Sequence, residues 1–175
     1  MTIFETQRLI IREFTPEDGD DFFLLQSNPD VMRYIRPPRT RDESDAFLHN
    51  KILKEFSQDY KGYWSLADKA TGNFLGSFVI MPLTSDTSKT QLGYSLMPQY
   101  WGRGYATEAS MGGVKYFLER SPLTELYAVT ETPNIASQKV LLKCGFNYHG
   151  ESKENGTELL VYLIKRGSKG SANIL

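Results

Sequence analysis

Two glycines flank an arginine in the stretch Trp101-Gly102-Arg103-Gly104-Tyr105-Ala106-Thr107-Glu108. Gly102 and Gly104 lack side chains, so a ligand can come close to the backbone there. A helix that starts after Gly104 leaves its first amide N–H groups unpaired. Those donors and the helix dipole favour an anion, above all a phosphate, and Arg103 adds a positive side chain. The other reading is a tight turn with no ligand, since short glycine motifs are weak signals. A P-loop needs Gly-Lys-Ser/Thr, and no Lys stands here. A dinucleotide fingerprint needs a third Gly or Ala where Thr107 stands.

Other residues could also do chemistry. Ser137 falls in the first turn of a helix, where it either bonds local backbone or meets a ligand. Asn134 follows Pro133 and suits the N-cap of the same helix. Glu131 and Glu13 sit at strand ends, as solvated acids or as general bases. Tyr34, Trp64 and Tyr94 either line an acceptor pocket or fill the core. Cys144 precedes a helix-ending glycine and reads as packed rather than nucleophilic.

The elements that position these residues change character along the chain. Arg8 to Phe14 reads as a first strand. Thr15-Pro16-Glu17-Asp18 opens a helix, which stops near Asn28-Pro29. Val31 to Ile35 reads as a helical turn. Thr40-Arg41-Asp42-Glu43 is a capping box, followed by Phe47, Leu48, Ile52, Leu53 and Phe56 at helical spacing. From Tyr63 the period becomes that of strands. Tyr63 to Ala67 and Phe74 to Met81 flank a turn at 70–73. A polar loop, Thr84 to Lys89, leads to a third strand at Gln91 to Leu96. A helix then runs from Gly104 to about Arg120, before a strand at Leu126 to Val129. Asn134 to Lys143 is a helix ended by Gly145. Two last strands flank Asn155-Gly156. The strand–helix–strand unit from Leu92 to Val129 is the usual form of a parallel connection.

The whole chain of 175 residues fits one mixed α/β domain over residues 1–166 with a small polar tail at 167–175. Charged residues make up 23% and the net charge is -1, which argues against a nucleic-acid protein. A single cysteine excludes an intramolecular disulfide, and His49 and His149 lack metal-ligand spacing, so no metal is expected. No apolar run approaches the length of a membrane span, and Met1 to Glu5 has no signal-peptide character. A cytoplasmic protein is the expectation.

The glycine stretch resembles the pyrophosphate-binding motif of the GNAT superfamily of N-acetyltransferases, Gln/Arg-x-x-Gly-x-Gly/Ala. Gly104 and Ala106 match it, and Trp101 replaces the Gln/Arg. The form Trp-Gly-x-Gly-Tyr-Ala-x-Glu-Ala resembles the RimJ/RimL-type branch. So do Asn134-Ile135-Ala136-Ser137 with Lys143-Cys144-Gly145-Phe146, and the opening Thr6-Gln7-Arg8-Leu9-Ile10-Ile11-Arg12. These motifs lie in the expected order over roughly residues 5 to 165.

The resemblance implies a central mixed, mostly antiparallel sheet with helices on both faces. It implies that the strands at Leu92 to Met97 and Leu126 to Val129 run parallel but splay, with pantetheine between them. The activity implied is attack of a neutral amine on the thioester of acetyl-CoA. The acceptor is a protein N-terminus, or a small amine such as a polyamine, amino acid or antibiotic; a non-catalytic acyl-CoA sensor is the alternative. Backbone N–H groups of Leu96 and Met97 are the oxyanion donors expected. Trp101 to Thr107, Asn134 and Ser137 are the expected cofactor contacts. The branch makes Ser137 a candidate for contact with the thiolate, because Leu141 stands where many relatives carry an acidic Tyr. Glu131 is the candidate base and Tyr34, Trp64 and Tyr94 the candidate acceptor residues. A homodimer is compatible with the sequence.

Overall fold

Alternating burial sets the strands. In β2 (Leu9–Glu13), Leu9 and Ile11 are fully buried while the residues between them are not, as a strand with one covered face requires. A short strand not anticipated from the sequence, β1 (Thr2–Glu5), pairs with it. The computed structural model describes residues 1–55 and 59–167. Phe56, expected in the second helical stripe, and the tail beyond Gly167 lie outside them.

After β2, Pro16–Asp18 forms a single tight turn and α1 runs from Gly19 to Ser27. Asn28 ends α1 and caps α2 (Pro29–Met32), its Oδ1 accepting from the amides of Asp30 and Val31. Thr40 and Glu43 form the anticipated capping box of α3 (Arg41–Phe47). The helix then widens into a π-helical segment, Leu48–Ile52, before a last turn, α4 (Leu53–Glu55).

Strands β3 (Gly62–Asp68), β4 (Phe74–Leu83) and β5 (Asp86–Leu96) form an antiparallel meander. The polar stretch expected as a loop at 84–89 instead belongs mostly to β5. Leu83 pairs with Asp86, so the turn is two residues long and the hairpin carries its polar side chains outward. Next come α5 (Tyr105–Arg120), β6 (Glu125–Glu131), α6 (Ile135–Lys143), β7 (Asn147–Glu154) and β8 (Thr157–Lys165). Asn155 and Gly156, both at positive φ, make the tight turn between the last two strands.

The result is one eight-stranded sheet in the order β1-β2-β3-β4-β5-β6-β8-β7. Among the described residues only β5 and β6 run parallel, and they share a single registered pair, Gln91 with Tyr127, beyond which no ladder joins them. One face of the sheet carries α5 and α6 over Leu9, Ile11, Trp64, Leu66, Phe78, Leu92 and Leu126. The other carries α1 to α3 over Phe14, Phe74 and Tyr63. Among the described residues no helix is long and apolar enough to cross a membrane.

Gly76 sits opposite Leu96, where β5 approaches the gap. A Cβ on Gly76 would lie 2.0 Å from the Ser95 carbonyl oxygen, which is backbone and cannot swing aside. Gly72, at φ +76 in the β3–β4 turn, has no atom within 4 Å of such a Cβ. Gly76→Ala is therefore expected to cost about 3 kcal/mol or more through overpacking, and Gly72→Ala about 1–2 kcal/mol through backbone strain alone. Urea unfolding of the two variants checks this; equal losses would refute the steric account.

Candidate functional site

The parting of β5 from β6 decides which backbone groups are free. Bonded and non-bonded pairs alternate along an antiparallel ladder. The Met97 N–H donates to the Leu75 carbonyl at 2.9 Å. The odd-numbered residues at this end of β5 thus bond to β4, and Leu96 turns its N–H and C=O toward the gap. Its carbonyl is taken by the Trp101 indole N–H at 2.7 Å. The two-donor expectation therefore narrows to Leu96, because pairing with β4 runs one residue further than anticipated and engages Met97.

Trp101 is half exposed and pinned over the end of β5 by that bond. The chain then passes through Gly102 at φ +72 and Gly104 at φ +80, both left-handed. Nothing lies within 4 Å of a Cβ built on Gly102. The residues Trp101 to Gly104 are exposed, and Tyr105, Ala106 and Thr107 are half-buried on the first turn of α5. The first main-chain bond back to the turn is Glu108 N–H to Gly104 O at 3.0 Å. The amides before it lie at the positive end of a 16-residue helix. This arrangement fits a pyrophosphate.

What holds the turn in place was not anticipated. Glu108 accepts from Thr6 Oγ1 at 2.6 Å, from the Arg8 amide at 2.7 Å and from Arg8 Nε at 2.6 Å. Arg8 lies 4.4 Å over the Tyr105 ring and donates from Nη1 to the Arg103 carbonyl at 3.1 Å. The carbonyl of Arg103 is thereby drawn inward, away from the side an anion would take. Thr6, Arg8 and Glu108 all stood in the quoted motifs, but no spacing indicated that they meet.

Across the gap, Asn134 Oδ1 accepts from the Ser137 amide at 3.2 Å, so its oxygen caps α6. Ser137 Oγ lies 3.2 Å from the Tyr94 hydroxyl. Tyr94 points from β5 to the α5/α6 side, and burial pushes its pKa up to about 12 against the opposing bond from Ser137. This pair is the main polar link between the parted strand and α6. Leu141 is buried in the core. Cys144 is also buried, with Sγ 3.5 Å from the Thr107 carbonyl, and burial pushes its thiol up to about 12.

Three expectations need correction. Trp64 is 1% exposed, stacked on Phe78 and edge-on to Tyr116, so it is core and not acceptor pocket. Strand alternation gives the opposite face to its neighbour Tyr63. Tyr94 belongs beside Ser137 rather than among acceptor-side residues. Glu13 pairs with the Met1 amino group at 3.2 Å, and its strand lies three positions from β5 in the sheet. Glu131 ends β6 and is half-buried. Alternation sets it opposite Leu126 and Ala128, hence on the face of α1 to α3. Tyr34 is half-buried in the turn leading to Arg36.

On that same face a line of hydroxyls leads away from the gap. Ser95 Oγ and Ser77 Oγ are 2.8 Å apart, Ser77 Oγ and Tyr63 OH 3.3 Å, and Gln26 Nε2 reaches Tyr63 OH at 3.4 Å.

The Glu108 junction generates a pH prediction. Burial disfavours its charge, but the bonds from Thr6 and Arg8 hold its carboxyl below the usual carboxylate range. A depressed folded value adds stability above the unfolded value of about 4.3, and that stability is lost as pH falls through the folded value. Glu108→Gln is expected to cost about 1–3 kcal/mol at neutral pH. The deficit should shrink below about pH 4, as read by urea unfolding of both proteins across pH.

The family model described as an acetyltransferase (GNAT) domain matches residues 8–147. The Bacillus subtilis protein named uncharacterized N-acetyltransferase YoaA is 27% identical over 173 residues, covering 98% of this chain and 94% of its own length. The Aspergillus fumigatus FsC-acetyl coenzyme A-N(2)-transacetylase is 29% identical, over 78% of this chain and 58% of its own. Among solved structures, a GNAT-family acetyltransferase from Bacillus anthracis superposes with a TM-score of 0.80 at 22% identity, covering 94% of this chain and 98% of that one. RimL, a ribosomal α-N-protein acetyltransferase solved with coenzyme A, gives 0.77 at 13% identity, covering 94% and 98%. The family model spans most of the chain, and the chain belongs to the GNAT family of acetyltransferases.

Proposed function

We propose that this protein transfers the acetyl group of acetyl-CoA to the α-amino group of a peptide N-terminus, by direct attack of the neutral amine on the thioester. The observation that carries this reading is the Leu96 N–H turned into a gap that a single residue pair closes. The anion-binding turn lies at one end of that gap and the Tyr94–Ser137 pair on its far wall.

Acetyl-CoA supplies the activated acyl group. The Gly102–Gly104 turn and the first amides of α5 hold its pyrophosphate, with Arg103 adding charge. Trp101, Tyr105, Ala106 and Thr107 flank that contact, and Asn134 is placed to bond pantetheine with its remaining amide group. The Leu96 N–H donates to the thioester oxygen as negative charge builds there, a fixed donor that needs no reorganisation. Tyr94 keeps its proton at neutral pH because burial lifts its pKa to about 12. It therefore stays a hydrogen-bond donor to Ser137, whose Oγ–H donates in turn to the departing thiolate, which takes its proton from water. Glu131 takes the proton of the attacking amine from the opposite face, directly or through water. An α-amino group with a pKa of roughly 7.7–8.0 is already partly neutral near pH 7.5, so the base has little to do.

RimL, named as an α-N-acetyltransferase of a ribosomal protein, shares this fold. The FsC-acetyl coenzyme A-N(2)-transacetylase, named for transfer at an N(2) position, supports a second reading, an amine other than a peptide N-terminus as acceptor.

Release of free thiol from acetyl-CoA, followed over N-terminal peptides and small amines, tests the proposal. Ser137→Ala and Tyr94→Phe are each expected to lower kcat by about 100-fold, the lower end of the range for positioned acid catalysis. The double variant should lose little more than either single, because the two act as one unit. Saturating acetyl-CoA, at about 100 times Kd, should stabilise the protein by about 2.7 kcal/mol. Binding without turnover on any amine would favour an acyl-CoA sensor; no thermal shift would sink the assignment of the site.

A further inference from the structure

The basic loop between α2 and α3 contains two arginines that no carboxylate contacts directly among the described residues. Among the described residues neither Arg36 nor Arg39 forms an ion pair, whereas Arg8, Arg12, Arg33 and Arg41 all do. Both are half-buried. Arg39 is fixed at two points: its guanidinium lies 3.7 Å over the Phe47 ring, and its amide donates to the Gln26 carbonyl at 3.0 Å. Its Nη1 is screened from solvent and has no hydrogen-bond partner. Arg36 donates from Nη1 only to the carbonyl of the adjacent Pro37, at 3.1 Å. Pro37 and Pro38 stiffen the link between the two.

The two charges also feel each other. Arg36 is held below its ordinary pKa by burial and then by the charge of Arg39; burial does the same to Arg39. The carboxylate near both is Glu43, and it is engaged by the Thr40 amide at 2.9 Å in the α3 capping box. Two desolvated like charges that share one distant, hydrogen-bonded carboxylate are costly, and a carboxylate bound directly by both relieves burial and repulsion. Arginine forks match a carboxylate geometrically as well as electrically.

Location gives the pair a role. The Tyr63 phenol acts on both arginines. Its hydroxyl begins the line through Ser77 to Ser95, which adjoins Leu96 at the gap. Gln26, 1% exposed, has its Oε1 buried without a partner beside the same hydroxyl. All of these residues are on the face opposite Ser137, the face from which the amine would enter. We propose that Arg36 and Arg39 form a carboxylate-binding subsite for the acceptor, so that the amine acetylated by this protein carries a carboxylate. This rests on the acetyltransferase reading given above.

The test uses matched acceptors with the full chain and saturating acetyl-CoA. One arm pairs N-terminal peptides bearing Asp or Glu near the amine with their Asn or Gln counterparts. A second pairs free amino acids with their carboxamides. Together the arms distinguish a peptide side chain from a free α-carboxylate as the source of the anion. The carboxylate member of at least one pair is expected to show kcat/KM about 10- to 100-fold above its amide, mostly through KM, the range for hydrogen bonds to a charged group. Arg36→Gln and Arg39→Gln should each bring that ratio toward one, while the thermal shift given by acetyl-CoA persists. Arg39→Lys, which keeps the charge but loses the fork, should recover only part of the ratio.

A binding arm needs no turnover: with coenzyme A present, the carboxylate ligand raises the Tm of the wild type and not of Arg36→Gln. Acetylation with no carboxylate preference in any pair would overturn the subsite and leave the transferase reading intact. Carboxylate-dependent binding without acetylation would support the subsite and count against that reading. Absence of both acetylation and carboxylate-dependent binding would overturn the subsite.

Discussion

One hydrogen-bonding constraint organises the molecule: a parallel pair of strands that meets at a single registered position. Gln91 and Tyr127 hold β5 and β6 together, and beyond them the sheet has a slot instead of a ladder. An unpaired strand edge inside a sheet is normally a defect, because its backbone groups lose their partners. Here the defect is shaped. β4 keeps Met97, the Trp101 indole takes the Leu96 carbonyl, and the Leu96 N–H remains turned to the slot. Gly76 lets β4 and β5 approach closely at that level.

The slot is bordered by contacts between distant parts of the chain. Glu108, in the first turn of α5, receives three hydrogen bonds from Thr6 and Arg8, about a hundred residues earlier. Arg8 passes the constraint on to the Arg103 carbonyl and the Tyr105 ring. On the other side, Tyr94 and Ser137 join β5 to α6. The two faces of the sheet divide the remaining work. The face of α5 and α6 holds the polar pair suited to a leaving group. The face of α1 to α3 holds hydroxyls and guanidinium groups suited to an incoming polar molecule.

How much of this was readable beforehand follows from the range of each interaction. The glycine turn was readable because its chemistry is local: two small residues, a strand before and a helix after. The Asn134 cap was readable for the same reason, as was the Asn155-Gly156 turn. Contacts between distant segments were not. Nothing in the spacing placed Glu108 against Arg8, or Tyr94 against Ser137. The faces of Trp64 and Tyr63 were not readable, because two adjacent aromatics give no sign of which faces the core. The reach of the β4–β5 ladder decided Met97, and a polar hairpin at 84–89 lacked the apolar alternation that would mark it as strand. The family match settles the fold and the kind of reaction.

The buried cysteine has a consequence for redox behaviour. Cys144 is the chain's one thiol, and it is tucked behind the first turn of α5 with its ionisation displaced to about 12. A thiol reacts with disulfides and oxidants as the thiolate, and only when reachable. At neutral pH Cys144 is neither ionised nor accessible. The folded protein is therefore expected to react slowly with disulfides and peroxide at this thiol. Its thiol becomes reactive only on unfolding, so the rate at which a thiol reagent labels Cys144 reports how often α6 leaves the sheet.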